Sequence, residues 1–355
     1  MTATLTGSAV PADTYDVALY DLDGVVYLGD EPVNHAPAAI QAAAARGLRP
    51  LYVTNNSSRE PEDIAAQITG FGIPCVPQEI VTSAQSVALL LQEELEPGAR
   101  VLPVGGKGLR TALSAAGFEL VTSAADAPAA VVQGFAPDLG WHDLAEAAYA
   151  VRAGARHVAT NLDGSIPKER GVAPGNGALV RAVVEATGIK PLASGKPLPA
   201  IYHQAADRLG ASTPIAVGDR LDTDLEGARA AGMPGLLVLT GVTTARDTVL
   251  APAHQRPSLL AIDLRGLFVQ HPSPVEVEDG WWGSGAALAR VHDGALELLD
   301  DPTGPLGPSD TQRLGGSTRA RVSLDGWRAL CVAAWDAADR SAPLAPEAVP
   351  ALVVG

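Results

Sequence analysis

The chain has 355 residues, 47% of them hydrophobic, with 40 acidic against 25 basic side chains and a formal net charge of −15. That size and apolar content predict a globular protein of two or three domains with a large core, and there is no internal repeat or long disordered tract. The charge comes without any basic stripe, which argues against nucleic acid, but a small anion stays open because a metal ion and a lysine or two reverse a local field.

No apolar run approaches the ~18 residues that cross a bilayer. Residues 1–13 carry no Lys or Arg and no apolar stretch of signal-peptide length, so export is not expected. Cys75 and Cys331 are too few and too distant for a disulfide framework or a metal site, and the seven His are scattered. A reducing cytoplasm is the expected compartment, with no membrane partner.

The first element is the uncharged run Val17-Ala18-Leu19-Tyr20, broken off by Asp21-Leu22-Asp23-Gly24. It reads as a strand buried on both faces, as in a parallel sheet, with its acids at the carboxyl end where open α/β sheets bind ligands. Gly24 lets the chain turn sharply there. Two acids so close repel unless a cation joins them, and a hard divalent ion with oxygen ligands, most simply Mg²⁺, resolves the conflict. An Asp-x-Asp-Gly string also occurs in calcium loops, but Val25 and Pro32 stand at the fifth and twelfth positions, where such a loop needs oxygen ligands. On this stretch alone, a structural turn and a catalytic site both remain open.

Residues 36–46 read as a helix closed by Gly47. Residues 49–54 form a second apolar strand, ending in Thr54-Asn55-Asn56-Ser57-Ser58. Such a cluster can hold phosphoryl oxygens without adding charge, although alone it more often caps a helix, here one starting near Pro61. Helices follow at 61–70 and 82–95, the latter capped by Thr82 or Ser83. Strands at 100–104, 129–132 and 157–160 then alternate with helices at 108–116, 141–152 and 176–187. Residues 160–167 read as a surface loop.

Lys196 precedes a helix over 200–209 and alone reads as a solvated charge. Residues 215–219 make a third buried strand ending in Gly218-Asp219, followed by Asp222, Asp224 and a helix to Ala231. A second strand ending in an acid makes a shared metal site the better reading than a helix N-terminus alone. Strands at 236–240 and 259–262 complete this part. After Phe268, His271-Pro272-Ser273-Pro274 reads as a linker and 287–299 as a tight-turn hairpin. Asp325 is expected to cap a helix with Trp327, Leu330, Cys331, Ala334 and Trp335 on one packing face.

Four motifs thus stand in order: Asp21-Leu22-Asp23-Gly24, Thr54-Asn55-Asn56, Gly195-Lys196-Pro197 and Gly218-Asp219 through Asp224. Together they resemble the haloacid dehalogenase superfamily. The long interval between Thr54 and Lys196 is similar to its subfamily of phosphoglycolate, p-nitrophenyl phosphate, pyridoxal phosphate and nucleotide phosphatases. Thr160-Asn161-Leu162-Asp163, Gly175-Asn176-Gly177-Ala178 and Leu239-Thr240-Gly241-Val242 resemble its secondary signatures.

The resemblance implies an α/β fold: a Rossmann-like core with a parallel sheet over 13–86 and 191–268, and a large α/β cap over 87–190 inserted between the second and third motifs. Residues 269–355 form a small appended α/β module outside the family pattern. It implies that Asp21 is the nucleophile, that Asp23 is the general acid and base and binds metal through its main-chain carbonyl, and that Thr54 and Asn55 hold the phosphoryl group beside Gly24. It further implies that Lys196 stabilises Asp21 and the transferring charge, and that Asp219 and Asp224 complete an Mg²⁺ site with Asp21, with Asp222 as a neighbour of that site.

A dehalogenase needs no second acid, so Asp23 favours phosphate esters. The cap loop 160–174, with Asn161, Asp163, Lys168, Glu169 and Arg170, is the candidate specificity element. A small phosphorylated metabolite is expected, with glycerol 3-phosphate first, then phosphoglycolate, nucleoside monophosphates and pyridoxal phosphate. Pairing of subunits through the cap is a further implication. The rival from another class is a tail with its own function, since Gln312 to Ser317 loosely resembles an acyl-CoA loop.

Overall fold

The computed structural model describes residues 5–168, 170–300, 311–315 and 319–355. Glu169, Gly316 and Ser317, named above, lie outside the described residues. The chain divides into two compact units, residues 1–50 with 209–355, and residues 51–208.

In the first unit the strands Leu259–Ala261, Gly235–Val238, Pro214–Gly218 and Val17–Tyr20 lie side by side in that order, all parallel. Val17–Tyr20 is buried at every position, as its lack of polar alternation requires. The register sets Tyr20 against Val217, so the residues that follow leave the sheet at the same end.

The second unit holds a five-stranded parallel sheet in the order Leu192–Ala193, Arg156–Ala159, Ala130–Gln133, Arg100–Val104, Glu119–Leu120. Its strands are apolar on both faces because both are covered. Val101, Ala130, Val132 and Val158 pack with residues of the helices Ser83–Glu94 and Lys107–Ala115. Leu102, Val104 and Val131 pack with the helices Trp141–Arg152 and Asn176–Thr187. Thr82 caps Ser83–Glu94 through a capping box with Gln85. In the same unit Tyr52, Val53 and Thr54 pair in parallel with Ile80–Thr82.

The 160–167 loop is different from the expected surface turn. Thr160 and Asn161 are buried, and Ser165–Lys168 pairs antiparallel with Gly171–Pro174 as a hairpin. The tail is also richer than one hairpin and a helix. Val275–Glu276, Trp282–Ser284, Ala287–His292, Ala295–Asp300 and Gln312–Leu314 form an antiparallel sheet in chain order, and Ala320–Val322 pairs with Leu352–Val354. Asp293 and Gly294, both at positive φ, make the expected tight turn. Ser323, not Asp325, caps the helix Leu324–Asp339, its hydroxyl accepting from the Gly326 N–H.

That helix shares its core with the Gly235–Val238 and Leu259–Ala261 strands and with the turn that follows Asp219. Trp327, Leu330 and Trp335 belong to one apolar cluster with Leu221, Leu237 and Leu260. The indole N–H groups of Trp327 and Trp335 donate to the carbonyls of Ala245 and Thr248, each at 3.0 Å. Arg256, buried, reaches both carboxylate oxygens of Asp339 at 2.8 Å.

His271 is no solvated linker residue; it is buried, with Nε2 2.8 Å from the Gly266 carbonyl and Nδ1 3.0 Å from Arg328 Nη2. A guanidinium only donates, so Nδ1 accepts and Nε2 carries the ring proton. Burial, helped by the Arg328 charge, holds this imidazole below its ordinary 6.5 even though the Gly266 bond works the other way. The unfolded chain therefore binds the proton more readily, so the stability contributed by the neutral ring is complete above about pH 6.5 and is lost as pH falls below it. Replacing His271 by Gln, which keeps an acceptor for Arg328 without titrating, should flatten part of the fall in melting temperature between about pH 7 and 5. An unchanged slope in that variant would contradict this assignment.

Candidate active site

Asp21 and Asp219 each follow directly on a buried strand, and the Asp21 N–H continues the ladder by donating to the Val217 carbonyl at 2.8 Å. After Asp219 the chain forms a π-helical turn, Leu221–Leu225, before the short helix Glu226–Ala230. The turn carries Asp224 inward, where Oδ2 accepts from the Arg220 N–H at 3.1 Å. One carboxylate oxygen from each of Asp21, Asp219 and Asp224 lies within 4.8 Å of the others. Asp219 and Asp224 are 0% and 2% exposed. Asp222 turns outward and pairs with Arg220 at 2.9 Å, so Asp224 is the inner acid of this motif.

Three buried carboxylates at this separation repel strongly unless a cation is present. The donor set is all oxygen and anionic, which suits a hard divalent ion. The backbone is shaped around the acids as well. A Cβ added at Gly218 would lie 2.2 Å from the Asp224 Cβ, and one at Gly24 would lie 2.6 Å from Asp219 Oδ2. Gly24 also has φ +94°, so both space and conformation require glycine. Asp23 is exposed and its carboxylate is not in the trio.

Within the second unit, Thr54 and Lys196 are buried at 3% and 4% exposure, so Lys196 is not the solvated charge its position suggests alone. Its ammonium donates to the Val53 carbonyl at 3.1 Å. Thr54 Oγ1 accepts from the Asn56 N–H at 3.0 Å, and Asn56 Oδ1 accepts from the N–H groups of Ser58 and Arg59. This cluster is therefore a self-bracing turn and not the cap of the next helix, Pro61–Gly70, whose N-cap is Glu60.

Asn55 uses its whole side chain on the protein. Oδ1 accepts from the Lys196 N–H at 2.8 Å, and Nδ2 donates to the Lys196 carbonyl and to Asp163 Oδ2, each at 3.0 Å. Asn161 Nδ2 donates to the Asn55 carbonyl at 2.8 Å, and Asn176 Nδ2 donates to the Asn161 carbonyl at 2.8 Å. The second motif, the third motif and the 160–163 loop are thus tied by hydrogen bonds of side-chain amides. Ser83 and Asn176, absent from the sequence-derived site, belong to this network, Ser83 Oγ donating to the Asn55 carbonyl at 2.7 Å. An open cleft of about 480 Å³ in the same unit is lined by Ser58, Lys107, Arg110 and Asp138 among others, and by none of Thr54, Asn55, Asn161, Asp163 and Lys196.

Known proteins agree with this arrangement. The family described as haloacid dehalogenase-like hydrolase matches residues 18–119, and the HAD-hydrolase-like family matches 193–267. The chain belongs to the haloacid dehalogenase-like hydrolases, and within them it is a phosphoric monoester hydrolase.

A D-glycerol 3-phosphate phosphatase of Mycobacterium tuberculosis is 44% identical over 296 residues, 82% of this chain and 83% of that protein. An acid sugar phosphatase of Staphylococcus aureus is 41% identical over 66% of this chain and 90% of its own. The magnesium complex of a glycerol phosphate phosphatase from M. tuberculosis superposes with a TM-score of 0.80 at 38% identity, covering 98% of this chain and 96% of that one. Its calcium complex matches equally well, at 39% identity. A thermostable NPPase from Geobacillus stearothermophilus, at 35% identity and TM-score 0.65, covers 96% of itself but 70% of this chain. The tail is therefore shared with the mycobacterial structure, which the match spans almost completely. The α/β fold with parallel sheets and the divalent metal both accord with these relatives.

Proposed function

We propose that the protein hydrolyses glycerol 3-phosphate with Mg²⁺ at the Asp21–Asp219–Asp224 cluster. The observation that carries the reaction is that trio of carboxylates, two at the ends of adjacent parallel strands and the third in the turn that follows. The substrate reading is supported by the relative of that name, which is 44% identical over most of both chains.

In this reading the Asp21 carboxylate attacks phosphorus, the ester P–O bond breaks, and Asp23 gives its proton to the leaving alkoxide. The product is an acyl phosphate on Asp21. Asp23, now a carboxylate, takes a proton from water as that water attacks phosphorus, releasing phosphate and restoring Asp21. Thr54, Gly24 and the main chain of Asn55, whose side chain is engaged with Lys196 and Asp163, orient the phosphoryl oxygens, and Lys196 offsets their charge. Asp21, Asp219, Asp224 and the Asp23 carbonyl would hold Mg²⁺, which would supply charge neutralisation there.

Residues 87–190 act as the cap, and Asn161 and Asp163, bonded to Asn55, shape the loop that selects the substrate's alcohol half. We assign the enzyme to the cytoplasm, acting on a soluble metabolite, with the cap as a pairing surface for a homodimer. No helix among the described residues is long and apolar enough to cross a membrane.

A panel of phosphate esters ranked by kcat/KM tests the proposal. Glycerol 3-phosphate is expected to lead phosphoglycolate, sugar phosphates, nucleoside monophosphates and pyridoxal phosphate. Chelation should abolish turnover, and added Mg²⁺ should restore it. A different leading ester would overturn the substrate, and metal-independent turnover would overturn the site.

A further inference from the structure

The segment after the Gly235–Val238 strand touches the acid cluster without contributing an acid. The Val242 N–H donates to Asp219 Oδ2 at 2.6 Å, and the Thr243 N–H donates to the Asp219 carbonyl at 3.2 Å. Thr243 Oγ1 in turn accepts from the Leu221 N–H at 3.3 Å, which ties the same segment to the start of the π-helical turn that carries Asp224. Thr240 Oγ1 donates to the Gly24 carbonyl at 2.6 Å, reaching the turn that follows Asp21 and Asp23. Four short bonds thus connect residues 240–243 to all three acid-bearing strand ends and turns.

Gly241 makes this closeness possible. A Cβ there would lie 2.0 Å from Asp219 Oδ2 and 2.5 Å from its Cγ, far inside contact distance. Gly241 is not among the residues at positive φ, so glycine is needed for space and not for conformation. The same oxygen lies close to Gly24 as well, where a Cβ would come within 2.6 Å. One oxygen of Asp219 is therefore packed against two glycines and accepts from a peptide N–H, which restricts the rotation of the carboxylate.

We propose that Thr240-Gly241-Val242 is a positioning element for Asp219 whose main effect is on metal affinity. This rests on the reading of the cluster as a divalent-metal site. Asp219, crowded by two like charges, keeps one orientation only if something holds it. A charge-assisted peptide hydrogen bond and a pair of glycine walls do so at the cost of no mobile side chain. The ester itself is not needed for this role, so ester affinity should be nearly unaffected.

The test is calorimetric titration of the full-length protein with Mg²⁺ in the absence of ester, together with the Mg²⁺ dependence of turnover. Outer partners of metal ligands typically change affinity by about 10–100-fold. Gly241→Ala should weaken Mg²⁺ binding by about that factor and raise the Mg²⁺ concentration for half-maximal rate in parallel. KM for the ester at saturating Mg²⁺ should stay within about twofold.

Thr240→Val, which keeps shape and removes the donor to Gly24, should weaken Mg²⁺ binding by a smaller factor, and Thr240→Ser should restore it. The Thr240 pair decides the matter if Gly241→Ala does not fold. Unchanged Mg²⁺ affinity in the folded variants, with normal binding by the parent protein, would overturn the inference and leave the phosphatase reading intact. Failure of the parent protein to bind or use Mg²⁺ would instead overturn the reading on which it rests.

Discussion

Asp21→Asn should reduce kcat/KM on every phosphate ester by at least about 10⁴-fold, because an amide does not act as the nucleophile that forms the acyl phosphate. The fold should survive. The bond that seats this residue at the sheet end runs from its backbone N–H to Val217, and substitution of the side chain leaves it in place. Asn is nearly isosteric with Asp and removes one of three crowded negative charges. The melting temperature of the metal-free variant should therefore equal or exceed that of the parent. Steady-state kinetics on a purified variant, with contaminating phosphatase excluded by a mock preparation, checks this. Turnover within tenfold of the parent would remove Asp21 as nucleophile.

The second large effect concerns Asp23 and depends on the substrate. Asp23 is exposed and lies outside the carboxylate trio, whereas a carboxylate committed to the metal would sit within it. That placement suits a group that exchanges protons. Asp23→Asn should slow glycerol 3-phosphate by about 10²–10⁴-fold, the usual worth of general acid catalysis. An activated aryl phosphate, whose phenolate leaves without a proton, should lose far less in the first step. The ratio of the two losses is the diagnostic quantity. Equal losses of kcat/KM, which reports the first step alone, on alkyl and aryl esters would show that Asp23 does not protonate the leaving group.

The acid cluster was legible because its signal is local. A strand buried on both faces reads as an unbroken apolar run, and acids that stop such a run can only lie at its end. The same logic placed Val17–Tyr20, Pro214–Gly218 and most strands and helices of the second unit. What stayed hidden depends on partners far away in the chain. Asn55 meets Asp163 across 108 positions and Lys196 across 141, and neither periodicity nor propensity encodes such bonds.

The burial of His271 against Arg328, 57 positions on, is hidden for the same reason, behind a Pro-Ser-Pro texture that reads as linker. The hairpin of Ser165–Lys168 with Gly171–Pro174 is masked by breaker residues and by the exposed, non-alternating pattern of its second strand. The π-helical turn that separates Asp224 from Asp222 is likewise invisible, since both acids suit a helix N-terminus. In the tail, the short strands at 275–276, 282–284 and 320–322 are two or three residues long, too short to show alternation.

The central claim is that phosphoryl transfer passes through Asp21. The most direct measurement is acid quenching of Asp23→Asn during turnover of an activated aryl phosphate with Mg²⁺, followed by peptide mass spectrometry. In that variant the first step needs no proton donor, while the second lacks its base. The phosphoryl group should accumulate on the peptide that contains Asp21 and disappear on treatment with hydroxylamine. Release of the aryl alcohol with no phosphoryl group on that peptide at any quench time, or its appearance on another residue, would contradict the account.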